Sequence, residues 1–226
     1  MTGTAPVSGL AGWRRAPCTA AGYTHDCYEK GAGPGVVLLA ELPAITPEVL
    51  GLANHLVAEG FTVVVPSRFG KPGQPAARLR TAVGARVCVS QDFRAFATNA
   101  SRTVADFIRA LASDLNARTP GPGVGVIGLC FTGGFALAAA ADNSILAPVL
   151  SEPSLPLPLT GAQRTDPGAA EEEMQQVVQR TQDDGLCVLG LRFSEDRMAP
   201  KERFTTPRCA RRRQLRLRLA ESCRPH

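Results

Sequence analysis

The stretch VIGLCFTGGFALAAAA, Val126 to Ala141, decides how the chain is read. An apolar run reaches Gly128, passes through Leu129 and a single cysteine, Cys130, meets Gly133 and Gly134, and continues as an alanine-rich segment with no further breaker. That order predicts a buried strand, a tight turn and a helix, with the cysteine at the turn. The spacing Gly128-Leu129-Cys130-Phe131-Thr132 matches the nucleophile elbow G-x-S-x-G, with cysteine in place of serine and threonine at the fifth position. A sharp turn of this kind needs small neighbours two residues to either side, and Gly128 and Thr132, followed by Gly133 and Gly134, meet the demand. It also predicts Cys130 at a helix N-terminus, where the positive end of the helix dipole lowers a thiol pKa and favours thiolate. The hexapeptide alone reads equally well as a small buried cysteine packed under a helix.

Outward from the elbow, strand and helix signals alternate. VVLLA at 36–40 is a short β-branched run bounded by glycines and proline, as a buried strand is. Thr46 followed by Pro47 is a helix start, predicting a helix over 47–59 that Gly60 stops. FTVVV at 61–65 is the next strand. Residues 101–118 place Val104, Phe107, Ile108, Leu111 and Leu115 on one helical face. Strands follow at 123–128, 145–150 and 185–193, with helices at 131–142 and 171–181. The alternation implies βαβ units, and so an α/β fold with a mainly parallel sheet and helices on both faces. Residues 1–16, rich in Gly, Ala, Pro and Ser, read as a flexible leader before a domain spanning 17–207. The stretch from Phe69 to Arg102 carries mixed signals suited to lid or pocket loops.

At 226 residues the chain is long enough for one large domain. The composition, 44% hydrophobic and 20% charged, excludes global disorder. No apolar run is continuous enough for a membrane span or a signal peptide, which points to the cytoplasm. Seven cysteines at wide spacings, without CxxC pairs, suit free thiols in a reducing compartment. The formal charge of +5 is concentrated at one end. Residues 1–207 carry 18 Lys and Arg against 19 Asp and Glu, whereas 208–226 carry seven Arg and one Glu. A neutral body gives no reason to expect nucleic acid as its partner.

Three segments, LAELPAITPEVLGLANHLVAEGFTVVVPSRFGKPG, VIGLCFTGGFALA and GLRFSEDRMAPKERF, occur in the order and at the separations found in dienelactone hydrolase-like proteins of the α/β-hydrolase superfamily, which the chain resembles from about Cys18 to about Thr206. The resemblance implies a cysteine, aspartate and histidine triad acting on a lactone or related carboxylic ester through an acyl-cysteine intermediate. Cys130 matches its nucleophile and Asp196 its acid. Glu41 matches the glutamate that contacts the cysteine and tunes it. By fold logic, the backbone N–H groups of Leu42 and Phe131 would form the oxyanion hole. Arg86 and Arg94 are candidates for holding a substrate carboxylate, with no motif to choose between them. No metal or organic cofactor is implied; the expected partner is the small-molecule substrate, and a monomer is the expected state.

The histidine is where the likeness stops. His25, expected on an early antiparallel strand, and His55, expected mid-helix, read as structural. His226 follows Pro225 with no later element to hold it. From Arg208 the chain reads RCARRRQLRLRLAESCRPH where the family continues through a strand and a helix to its histidine. A frameshifted translation, a divergent terminus on a hydrolase without its base, and a basic lipid-binding or nucleic-acid-binding helix are the three readings of this tail. Leu215, Leu217 and Leu219 at period two argue against a helix with one apolar face. The tail is accordingly expected outside the fold, the C-terminal strand and helix missing and a sheet edge bare. The alternative to an impaired hydrolase is a non-catalytic member of the fold that binds a small ligand or a protein partner.

Overall fold

The computed structural model describes residues 7–75, 101–205 and 217–222. Arg86, Arg94 and His226 therefore lie outside the described residues.

Among the described residues, eight strands form one sheet. In chain order the elements are β1 (Arg14–Ala20), β2 (Tyr23–Lys30), β3 (Gly35–Leu39), α1 (Pro47–Ala58), β4 (Thr62–Ser67), α2 (Ser101–Arg118), β5 (Val124–Leu129), a 3-10 turn (Cys130–Thr132), α3 (Gly133–Ala139), β6 (Ile145–Ser151), α4 (Gly161–Thr165), α5 (Glu171–Asp183), β7 (Val188–Phe193), α6 (Glu202–Thr205) and β8 (Leu217–Ser222). Their spatial order is β1-β2-β4-β3-β5-β6-β7-β8. β1 pairs antiparallel with β2, and β2 with β4. All other neighbours run parallel.

β3 lies near the middle of this order and is buried along its whole length. Its period-two alternation sends Val37 and Leu39 to one face and Val36 and Leu38 to the other. On the first face they meet Val104, Phe107, Ile108 and Leu111 of α2, with Phe135 of α3 and Val177 of α5. On the second they meet Val49, Leu50 and Ala53 of α1. α1 starts as the sequence dictates: the Thr46 hydroxyl accepts the Val49 N–H at 3.4 Å, and Pro47 occupies the first turn.

Two arginines, half-buried Arg109 and buried Arg180, tie the helical layer together. Glu173 accepts the Ala170 N–H at 2.9 Å and Arg109 Nη2 at 2.9 Å, while the same Nη2 reaches Ala138 O at 2.6 Å. Arg180 Nη1 lies 2.6 Å from Ala140 O, 2.6 Å from Asp142 O and 2.9 Å from Ile145 O. The carbonyls that end α3 and lead into β6 thus find their donor on α5.

Both expected boundaries are corrected. The leader expected over 1–16 already belongs to the fold by residue 8. The Ser8 N–H donates to Pro47 O at 2.9 Å, Asn54 donates to the Ser8 hydroxyl at 2.7 Å, and Trp13 is buried. β1 then starts at Arg14, which pairs with Glu29 across the ladder at 2.8 Å. Its exposed arginines and Pro17 are what an edge strand carries, so composition disguised it as a leader. The expected absence of a C-terminal strand is likewise overturned at 217–222, where β8 pairs in parallel with β7, Leu217 opposite Val188 and Leu219 opposite Gly190. The period-two leucines were a strand signal inside an arginine-rich stretch, and β8 rather than β7 forms that sheet edge.

Candidate active site

At the carboxyl end of β5 the chain turns sharply through Cys130, whose φ of 49° lies in the left-handed region that side chains with a Cβ seldom adopt. The turn stays tight because little stands in its way. A Cβ on Gly128 would sit 2.5 Å from Thr132 O and 2.9 Å from both Gly133 Cα and Ala136 Cβ. Thr132 locks the corner from within: its hydroxyl accepts the Leu129 N–H at 2.9 Å and lies 3.0 Å from Leu39 O on the neighbouring strand. A Gly128→Ala variant is expected to lose about 2 kcal/mol through overpacking. For a chain of this length that is a fall of roughly 4–8 °C in Tm. Thermal melts beside Gly161→Ala, whose added methyl meets nothing within 4 Å, measure it. Equal melting of the two variants would show that the corner has room to spare.

The carboxyl ends of the two strands that flank β5 bring groups towards the sulfur. Glu41 follows β3, Glu152 follows β6, and Ser154 lies two residues further on, with its Oγ 3.2 Å from Cys130 Sγ. Burial is the main influence on the thiol and pushes its pKa up; the charges of Glu41 and Glu152 push the same way, while hydrogen bonds from Ser154 and the Phe131 backbone oppose them. The thiolate expected from the helix dipole is therefore corrected: the resting group is held towards the neutral thiol.

Glu41 is half-buried, and burial, then the charge of Glu48, raises its carboxyl above the ordinary range. A carboxyl that binds its proton more tightly folded than unfolded costs stability when ionised. That cost is absent below the unfolded pKa of about 4.3 and grows as the pH rises through the folded value. Glu41→Gln is expected to melt above the wild type at pH 7, with the gap closing towards pH 4. Paired melting curves at the two pH values check this, and a wild type that is the more stable at pH 7 would overturn it.

Asp196 stands beyond β7, half-buried, and is engaged within its own loop. Its Oδ1 accepts the N–H groups of Met198 at 2.7 Å and Ala199 at 3.3 Å. Buried Arg192 holds that loop through Ala199 O at 3.0 Å and Ser194 O at 2.9 Å. Leu42 is half-buried beside Glu41, and Phe131 is buried, meeting Phe69 and Phe135 edge to face. Of the two described histidines, His25 lies on β2, stacked on Tyr23 and edge-on to Phe107, and His55 is exposed on α1. Glu41 and Cys130 are thus brought together, while Asp196 is turned into its own loop at the same sheet edge.

Sequence reading missed Glu152 and Ser154. Glu152 carries its own signal in the structure, a φ of 51°, with its N–H fixed to Leu191 O at 2.8 Å. Their position just past β6, where open parallel sheets gather ligand-binding groups, was the available clue.

The strand order and the strained cysteine corner after β5 define an α/β-hydrolase fold. The chain belongs to the dienelactone hydrolase family, whose model matches residues 21–182. It is 32% identical to a carboxymethylenebutenolidase of Rhodococcus opacus over 127 residues, 55% of this chain and 46% of that protein, so it spans about half of that relative's length. Among solved structures, the dienelactone hydrolase-like promiscuous phosphotriesterase P91 from metagenomic libraries superposes with a TM-score of 0.61 at 17% identity, covering 93% of this chain and 81% of that one. A dienelactone hydrolase from Anabaena variabilis does so with a TM-score of 0.57 at 14% identity, covering 94% and 86%. At these identities the superpositions bear on the fold. No helix among the described residues is long and apolar enough to cross a membrane.

Proposed function

We propose that the chain hydrolyses a lactone or related carboxylic ester through an acyl-Cys130 intermediate. The observation that carries the reading is the strained corner that presents Cys130 Sγ at a strand end beside the Glu41 carboxylate. Glu41, made more basic by its burial, takes the thiol proton as the sulfur attacks the ester carbonyl. The N–H groups of Phe131 and Leu42 receive the negative oxygen of the tetrahedral intermediate. Its collapse breaks the carbon–oxygen bond of the ester, the departing alkoxide takes the proton back from Glu41, and a thioester remains. Water then attacks the thioester, giving a proton to Glu41 that returns to the leaving sulfur.

Incubation with p-nitrophenyl acetate followed by intact-mass and peptide mass spectrometry tests this. An acetyl group on Cys130 that decays in step with acetate release is the expected result. Ester binding without a Cys130 adduct would replace the hydrolase by a ligand-binding member of the fold.

A further inference from the structure

The hydroxyl bonded to the nucleophile belongs to a residue that neither the elbow pattern nor the family likeness points to. Ser154 is only 6% exposed and meets Cys130 twice: its Oγ lies 3.2 Å from Sγ, and its N–H donates to Cys130 O at 3.1 Å. The loop that carries it is pinned from behind. Arg203, 3% exposed, donates to Pro153 O at 2.5 Å, Pro156 O at 2.5 Å and Gln163 O at 2.9 Å. With a carbonyl held on either side of it, Ser154 keeps its hydroxyl at the sulfur.

A hydroxyl in this place is useful in both protonation states. With the neutral thiol, either group can be the donor across the 3.2 Å contact. Once the sulfur is ionised, the hydroxyl hydrogen turns and donates to it, and hydrogen bonds to a charged partner are the stronger kind. We infer that Ser154 is a positioning residue for the nucleophile, holding Cys130 Sγ at the corner and donating to its thiolate form. This rests on the reading of Cys130 as nucleophile given above. The charged groups around the sulfur make the role consequential. Glu41 beyond β3 and Glu152 beyond β6 both disfavour the anion. α3 carries no titratable side chain, and Asp196 beyond β7 is turned into its own loop. Beyond β4, the Arg68 guanidinium lies over the rings of Phe69 and Phe135, and Arg203 of α6 is occupied by carbonyls.

The test is the pH dependence of iodoacetamide alkylation of the full chain, read at the Cys130 peptide by mass spectrometry. Ser154→Ala is expected to move the profile to higher pH and slow alkylation at pH 7 by about fivefold or more, with the rate on the alkaline plateau unchanged. Should that variant not fold, Ser154→Thr and Ser154→Val form a matched pair of equal shape. Threonine is expected to react faster than valine at pH 7, which a purely structural role would not produce. Superimposable profiles for wild type and Ser154→Ala, or equal rates for threonine and valine, would overturn the inference. The acetyl-adduct experiment separates the two readings: an adduct without the Ser154 shift sinks only this inference, and the shift without an adduct sinks only the hydrolase.

Discussion

Replacing Cys130 by alanine is expected to lower ester hydrolysis by about three orders of magnitude or more, because a nucleophile at an elbow has no substitute and the remaining oxyanion donors supply only residual catalysis. The fold should survive the change. Cys130 is half-buried, and its sulfur hydrogen-bonds one described side chain, the Ser154 hydroxyl. Alanine also relieves none of the backbone strain at a φ of 49°, so the corner itself is unaltered. The measurement is kcat/KM on p-nitrophenyl acetate together with the melting temperature. Lost activity at an unchanged Tm fits the nucleophile assignment. Activity that persists within tenfold of wild type moves the chemistry elsewhere.

The second large effect lies on the far side of α3. Arg180→Ala removes the donor shared by the carbonyls of Ala140, Asp142 and Ile145, and Arg180 is 7% exposed, so little water reaches them. Asp142 O keeps the Ile145 N–H at 3.2 Å. Each buried acceptor left unmet costs about 1–3 kcal/mol, and the carbonyls of Ala140 and Ile145 together about 2–4 kcal/mol after local relaxation. At roughly 2–4 °C per kcal/mol for a chain of this size, Tm should fall by roughly 5–15 °C. The pair with Asp184 at 3.3 Å adds little, since that carboxylate is exposed. Arg180→Lys is expected to recover only part of the loss, because one ammonium lacks the planar fork that spans separate carbonyls. A melt of Arg180→Ala within 2 °C of wild type would mean that the α3–β6 turn closes without this residue.

Local signals gave most of the elements and the candidate nucleophile. α1 could be read from Thr46 and Pro47, and α2 from its apolar stripe, because caps and periodicity lie within the element they specify. Cys130 could be read because the elbow needs small residues at fixed distances along the chain. Glu41 could be placed only through family likeness, and its meeting with Cys130 needed β3 and β5 to pair side by side. The two outer strands escaped for a related reason. β1 and β8 hold their place through ladders to β2 and β7; Arg14, Arg15 and Pro17 disguised β1, and the arginine-rich surroundings of its period-two leucines disguised β8.

By itself, then, the sequence determined the strand, turn and helix around Cys130, the α/β alternation and the likeness that names the family. Only the tertiary structure decided the state of the sulfur. Whether a thiol is charged depends on what surrounds it in space. Here burial and the carboxylates of Glu41 and Glu152 outweigh the Ser154 and Phe131 hydrogen bonds, and these groups meet only because parallel strands deliver their carboxyl ends to one edge of the sheet.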